Sequence, residues 1–160
     1  MALSKDGKML AAAGVGGYVN IYDSETLKEI KRLNTQAGKA ATTVTFSWKF
    51  LATAGYNATI ELFNIETWDQ VKHFKVPDCM KIDCVRFSED ERAIAYTADH
   101  LVVYSVIDTN GTIGQTKHLR GHTKHVRCLA FDKYDAKILY SGGEDRSIRV
   151  WNHEEEKEID

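Results

Sequence analysis

Residues 140–152 read YSGGEDRSIRVWN. A strand of small residues runs into a tight polar turn at Glu144-Asp145. A second strand then leads to a tryptophan. Ile148 and Val150 alternate with Arg149, the period of two that marks a half-buried strand. Upstream lies Gly121-His122, so the region also holds Ser141, His122 and Asp145, the residue types of a hydrolytic triad. Two readings compete. The three groups perform a reaction, or they satisfy one another in an interior where an orphaned polar group costs about 1–3 kcal/mol.

The same design recurs along the chain. LAAAGVGGYVNIYD (10–23), LATAGYNATIELFN (51–64), AIAYTADHLVVYS (93–105) and LYSGGEDRSIRVWN (139–152) are each a small-residue strand, a turn and an alternating strand near an aromatic. The aromatics Tyr22, Phe63, Tyr104 and Trp151 are spaced 41, 41 and 47 residues apart. Each stretch follows a shorter strand with a common ending: MALS (1–4), VTFS (44–47), VRFS (85–88) and LAFD (129–132). Ser4, Ser47, Ser88 and Asp132 lie 43, 41 and 44 residues apart. Two separate landmarks therefore share one period, the mark of a repeat architecture. Asp6-Gly7 supplies the positive φ that a hairpin turn needs. ETLKEIKRLN (25–34) and ETWDQVKHFK (66–75) read as a fourth, outer strand, with Trp68 inside the second.

Gly-His, an apolar strand, then Ser and Asp before a strand closing on Trp and a polar residue resembles the WD repeat. Residues 121–152 are a nearly complete copy, with Asn152 in place of the final Asp. Residues 1–34, 38–75 and 80–118 are degenerate copies. The resemblance implies an all-β fold, a β-propeller of WD-repeat type built from four-stranded blades. About four blades are expected, roughly 1–36, 37–76, 77–119 and 120–152. Three are complete and one lacks its outer strand, because HEEEKEID is too acidic to supply it. Residues 153–160 then form an acidic tail. Four repeats are few for a closed ring, and Met1 already falls inside an innermost strand, so the chain is expected to be part of a larger ring. Further length of the same polypeptide, another chain completing the propeller, or an open arc would each resolve the open sides; the first is favoured.

For the opening question the resemblance implies architecture. Asp145, His122, Ser141 and the Trp151 indole N–H would form one buried hydrogen-bonded chain. A nucleophilic Ser wants exposure and an oxyanion hole, and no G-x-S-x-G surrounds Ser141. The other repeats keep only parts of this chain: Ala12, Gly16 and Tyr22; Thr53, Asn57 and Phe63, with Gly38-Lys39 where Gly-His should stand; Ala95, Asp99 and Tyr104.

Composition bounds the function. The chain has 160 residues, 43% apolar and 28% charged, with net charge −2. That is a globular composition without a basic footprint for nucleic acid. No run approaches the roughly 18 apolar residues of a membrane helix, and no signal sequence opens the chain, so no membrane association is expected. Cys79, Cys84 and Cys128 are an odd number without CxxC spacing, which suggests reduced thiols in an intracellular setting, cytoplasmic or nuclear. No P-loop, G-x-G-x-x-G or H-E-x-x-H occurs, so no cofactor is expected. His118, His122, His125 and Cys128 form a run with ligand chemistry. They fall in a loop and a strand rather than in two close doublets, so no metal is expected either.

The leading expectation is a non-enzymatic protein–protein interaction scaffold that helps assemble a multiprotein complex, with other proteins as partners. Rigid sheets presenting loops suit that task. By position in the resemblance, one face carries Tyr56, Lys81, Asp83, His125, Arg127 and Glu144, the candidate protein-binding residues; each alone is equally an ordinary solvated side chain. Trp48 and Trp68 read as contact anchors or, preferably, as packing between blades. The alternative is a propeller subunit of a ribonucleoprotein assembly that contacts RNA through basic loops, given Lys117, Arg120, Lys124, Arg127, Lys133 and Lys137. A serine hydrolase is the remote third reading.

Overall fold

The computed structural model describes residues 1–36, 40–135 and 137–159. These residues form strands and turns only, in four antiparallel four-stranded sheets. The first sheet holds β1 (Ala2–Leu3), β2 (Met9–Ala13), β3 (Tyr18–Asp23) and β4 (Glu29–Asn34). The second holds β5 (Ala41–Phe46), β6 (Phe50–Gly55), β7 (Thr59–Asn64) and β8 (Gln70–Lys75). The third holds β9 (Val85–Phe87), β10 (Ala93–Ala98), β11 (Leu101–Ile107) and β12 (Ile113–Leu119). The fourth holds β13 (Val126–Phe131), β14 (Ile138–Gly143), β15 (Ile148–Asn152) and β16 (Lys157–Ile159). Strands pair in chain order within every sheet. The chain divides into two compact units, Met1–Ile82 and Asp83–Asp160, with two sheets each.

The recurring serine is a turn device. Ser4 Oγ donates to Asp6 Oδ1 at 2.6 Å and accepts the Met9 amide at 2.9 Å. Ser88 repeats this with Asp90 at 2.6 Å and the Ala93 amide at 3.0 Å. Ser47 Oγ accepts the Phe50 amide at 2.9 Å. Asp132 performs the service with a carboxylate, taking the Tyr134 and Asp135 amides at 2.8 Å. A short polar side chain that bonds its own turn fixes where the first strand stops and the second begins.

Each unit has a core between its two sheets. In the first, Ala11, Val19 and Ile21 pack against Val44, Phe46, Leu51 and Phe63. In the second, Ala95, Val102 and Leu119 meet Val126, Leu129, Leu139 and Trp151. Alternation places one set of side chains on each face, so small residues on β2 and β10 let the sheets approach.

Three expectations are corrected. The last sheet has an outer strand: β16 pairs with β15 in the register Val150↔Ile159, Trp151↔Glu158, Asn152↔Lys157. A ladder is made by backbone groups and needs no apolar run. Asn152 Oδ1 caps the turn through the Glu154 and Glu155 amides, Lys117 Nζ donates to the His153 and Glu154 carbonyls, and Arg149 bonds Glu158. The acidic stretch is held by cations rather than left as a tail.

The third repeat is registered one residue away from its aromatic. Leu10↔Tyr22, Leu51↔Phe63 and Leu139↔Trp151 are matched by Ile94↔Ser105. Ser105 therefore occupies the Trp151 position, and Tyr96, not Ala95, occupies that of Ser141. The turn at Asp99-His100 is shorter than the turn of the fourth repeat, and a slip of one residue carries a side chain to the other face. Finally, Trp68 lies in the β7–β8 turn with φ 62°, before β8 begins, and packs on the first unit's core. Gly38-Lys39 lies outside the described residues.

Candidate functional site

Two arrangements matter: the polar chain buried in the fourth sheet, and the charged groups at its turns. His122 enters from the loop before β13, Ser141 from β14, Asp145 from the following turn and Trp151 from β15. His122 Nδ1 lies 2.8 Å from Asp145 Oδ2, and Nε2 lies 2.7 Å from Ser141 Oγ. The Trp151 indole N–H donates to the same Oγ at 2.8 Å. Hydrogen counting assigns the tautomer. Ser141 accepts from the indole, so its own proton goes to His122 Nε2. His122 then donates from Nδ1 to the carboxylate.

Asp145 is further tied by the Ser147 hydroxyl at 2.7 Å and the amides of Thr123 at 3.0 Å and Ser147 at 3.1 Å. The Ser147 hydroxyl above all holds its carboxyl far below the ordinary 3.8, outweighing the opposing desolvation; the Thr123 amide and His122 add to this. Two glycines are explained by this packing. A Cβ on Gly143 would stand 2.7 Å from His122 Nδ1, and one on Gly121 would stand 2.9 Å from the Trp151 ring. His122, Ser141 and Trp151 are all buried. With the indole on one side and imidazole on the other, Ser141 Oγ has no approach for a carbonyl. The chain satisfies every polar atom and fixes the relation of three strands and a loop.

The depressed Asp145 carboxyl makes the stability of the second unit depend on pH. A carboxyl depressed in the folded state contributes stability above its unfolded pKa and loses it as pH falls toward the folded value. Melting of the wild-type chain should therefore drop as acid is added below about pH 4, and Asp145→Asn should flatten that part of the profile. A profile unchanged in Asp145→Asn would contradict the assignment.

The charged groups fall into one set per unit. In the second unit Arg127 is clamped: Nη1 meets Asp83 Oδ2 at 2.8 Å, Nε meets Glu144 Oε1 at 3.0 Å, and Nη2 also bonds Glu144. The Arg127 hydrogen bond keeps the Glu144 carboxyl below the usual range. His125 Nδ1 lies 3.7 Å from Asp99. A cavity of about 400 Å³ beside this clamp is lined by Asp99, His100, Thr123, Lys124, His125 and Glu144. In the first unit Lys81 Nζ stands 5.0 Å over the Tyr56 ring. The six candidate residues thus form a clamp of Asp83, Arg127 and Glu144 with His125 nearby, and a separate pair of Tyr56 and Lys81. Exposed ion pairs add little to stability, so Arg127→Ala should leave the melting temperature unchanged; a marked fall would make the clamp structural.

One residue escaped the sequence reading. Glu61 alternates with Ile60 and Leu62 and reads as solvent-facing, yet it is fully buried. β7 is buried on both faces from Thr59 to Phe63. Glu61 Oε1 accepts the Gln36 amide at 2.6 Å, and Oε2 accepts Gln70 Nε2 at 2.9 Å. A charged residue in a strand whose flanking positions are all apolar or small was the available signal.

The family model described as WD domain, G-beta repeat, matches residues 114–152. Among similar proteins, non-functional target of rapamycin complex subunit LST8-2 of Arabidopsis thaliana is 28% identical over 103 residues, covering 64% of this chain and 32% of its own. Serine-threonine kinase receptor-associated protein of Gallus gallus is 24% identical over 148 residues, covering 92% and 40%. WD repeat-containing protein 1 of Xenopus tropicalis is 22% identical over 162 residues, covering 94% and 26%. The chain spans well under half the length of each. Residues 114–152 thus match a WD repeat, and four sheets of one build with a recurring turn device extend the likeness along the chain.

Proposed function

We propose that the chain is a non-enzymatic protein–protein interaction scaffold that helps assemble a multiprotein complex inside the cell, in cytoplasm or nucleus. The observation that carries this reading is the clamped guanidinium of Arg127. It is half exposed, yet two carboxylates fix it beside an open cavity. A charge held in place before a partner arrives lowers the ordering cost of binding. Support also comes from relatives named as a complex subunit and a receptor-associated protein. WD-repeat proteins are generally interaction scaffolds without chemistry of their own.

The ribonucleoprotein alternative has weaker support. Lys117 and Lys137 pair with Glu156 and Glu154, and Arg127 with Asp83 and Glu144. Basic groups already neutralised release few counterions from a phosphate backbone. Apolar exposure favours a further blade, from this polypeptide or another, as one neighbour. Leu3 and Ile148 are 56% and 81% exposed, whereas the matching Phe46 and Val102 are buried.

The test is cross-linking with mass spectrometry on the native assembly, comparing wild type with Glu144→Lys. Partner cross-links near residues 83, 127 and 144 that vanish in the folded variant are expected. A wild-type chain without protein neighbours in the cell would overturn the reading.

A further inference from the structure

The same sheet-to-sheet contact is built once in each unit, and it has two unlike sides. One side inserts a row of large residues paired across three strands: Phe46, Leu51 and Phe63 in the first unit, Phe131, Leu139 and Trp151 in the second. The other side receives them on small and branched residues: Ala11, Val19 and Ile21 in the first unit, Ala95 and Val102 in the second.

Two further faces of this build are open. Leu3, Leu10 and Tyr22 form the inserting row of the first sheet. Leu3 is exposed, whereas Phe46 at the matching position is buried. On the fourth sheet Tyr140, Ile148 and Val150 stand at the positions of Ala11, Val19 and Ile21, the receiving side. Ile148 is exposed, whereas Val19 is fully buried. Apolar sheet faces left in water mark interaction surfaces.

The open faces differ from the filled ones in a matched way. β2 lies against β5, and β10 against β13. The small residue of the receiving side, Ala11 or Ala95, therefore faces the strand that ends in Phe46 or Phe131. The fourth sheet carries Tyr140 in place of that alanine, and its ring is held by a hydrogen bond from the hydroxyl to Asp132 Oδ2 at 2.9 Å. The first sheet carries Leu3 in place of the phenylalanine. Added volume on one face is offset by reduced volume on the other, the kind of exchange a packed interface tolerates. Charges stay on the outer strands. By the alternation of the ladder, Lys157 lies on the open face of the fourth sheet, and Glu29 and Arg32 on that of the first. Lys157 and Glu29 are opposite in sign, and Arg32 rests over the Tyr18 ring at 4.1 Å.

We propose that the open face of the fourth sheet binds the open face of the first sheet of a second copy of this chain. β14 of one copy lies against β1 of the next, with Tyr140 over Leu3, and Ile148 is covered as Val19 is. The contact joins unlike surfaces, so it builds rings or longer assemblies. It rests on the neighbouring blade inferred above and commits that neighbour to this chain. None of its residues belongs to the Arg127 clamp.

The experiment measures the mass of the full chain by sedimentation velocity over a concentration series. Wild type should reach at least the mass of two chains by about 100 µM, as for a contact with Kd on the order of 10 µM. Ile148→Lys and Leu3→Glu, both at exposed positions, should melt like wild type and each weaken association about tenfold or more. An equimolar mixture of the two should recover dimers, because one variant keeps an intact first-sheet face and the other an intact fourth-sheet face. Leu3→Phe should also weaken association, and Tyr140→Ala combined with it should restore it. Glu144→Lys should associate like wild type, which separates this contact from the clamp. A wild-type chain that stays monomeric, its face left to another protein or to a further sheet of the same polypeptide, would overturn the proposal and leave the clamp standing. Association unmoved by Ile148→Lys, or a mixture of the two variants that stays monomeric, would overturn it as well.

Discussion

His122→Ala should lower the stability of the second unit by about 3 kcal/mol, the sum of lost hydrogen bonds and a residual cavity. The imidazole bonds Ser141 at 2.7 Å and Asp145 at 2.8 Å from a site 4% exposed. Its removal strands the Ser141 proton in the interior and leaves a void against Trp151. Water reaches Asp145 more readily than Ser141, so most of the loss belongs to the buried end of the chain. The measurement is urea or thermal melting, with a fall in Tm on the order of 10 °C. Ser141→Ala combined with His122→Ala should cost less than the sum of the two, because the second change removes the stranded group. The second repeat shows that such paired loss is tolerated. There Phe63 replaces the indole, and Thr53 turns its hydroxyl to the Thr43 carbonyl at 3.0 Å. Additive effects, or an unchanged melting curve, would remove the architectural role of the chain.

A loss of similar size is expected for Glu61→Ala in the first unit, again about 3 kcal/mol, since the hydrogen bonds from Gln36 and Gln70 to a buried acceptor disappear. The Gln36 amide and the Gln70 side chain lose their acceptor together. The readout that separates this from general loosening is hydrogen exchange. The Gln36 amide should exchange faster in the variant, while amides in the β6–β7 ladder stay protected. Glu61→Gln should fall between wild type and alanine. Its one carbonyl oxygen can serve one donor, and its amide then faces the other. Glu61→Gln as unstable as Glu61→Ala, or a Gln36 amide protected in both, would mean that the carboxylate does not hold this segment.

Much of the architecture was legible because its causes are local. Ser4, Ser47, Ser88 and Asp132 cap their own turns, so their spacing reported the repeat before any contact between sheets was known. The polar chain of the fourth repeat was legible as residue types at the spacing of His122, Ser141, Asp145 and Trp151, and the resemblance to the WD repeat favoured architecture over a hydrolytic triad. Three features were not. Glu61 looks solvated by alternation, and only burial on both faces of β7 shows otherwise. Tyr104 looks like the repeat's aromatic, but pairing of Ile94 with Ser105 assigns it to the other face. The outer strand of the last sheet looks like a charged tail, because a backbone ladder leaves no apolar trace and its partners Lys117 and Arg149 lie far off in sequence.

The sequence by itself determined the repeat, its all-β character and the strands other than β16, because turn chemistry and period-two patterning act over a few residues. Only the tertiary structure decided register and which carboxylates are paired. Those depend on which face a side chain takes and on neighbours 12 or more residues away, as Arg127 with Asp83 and Arg32 with Asn20 illustrate.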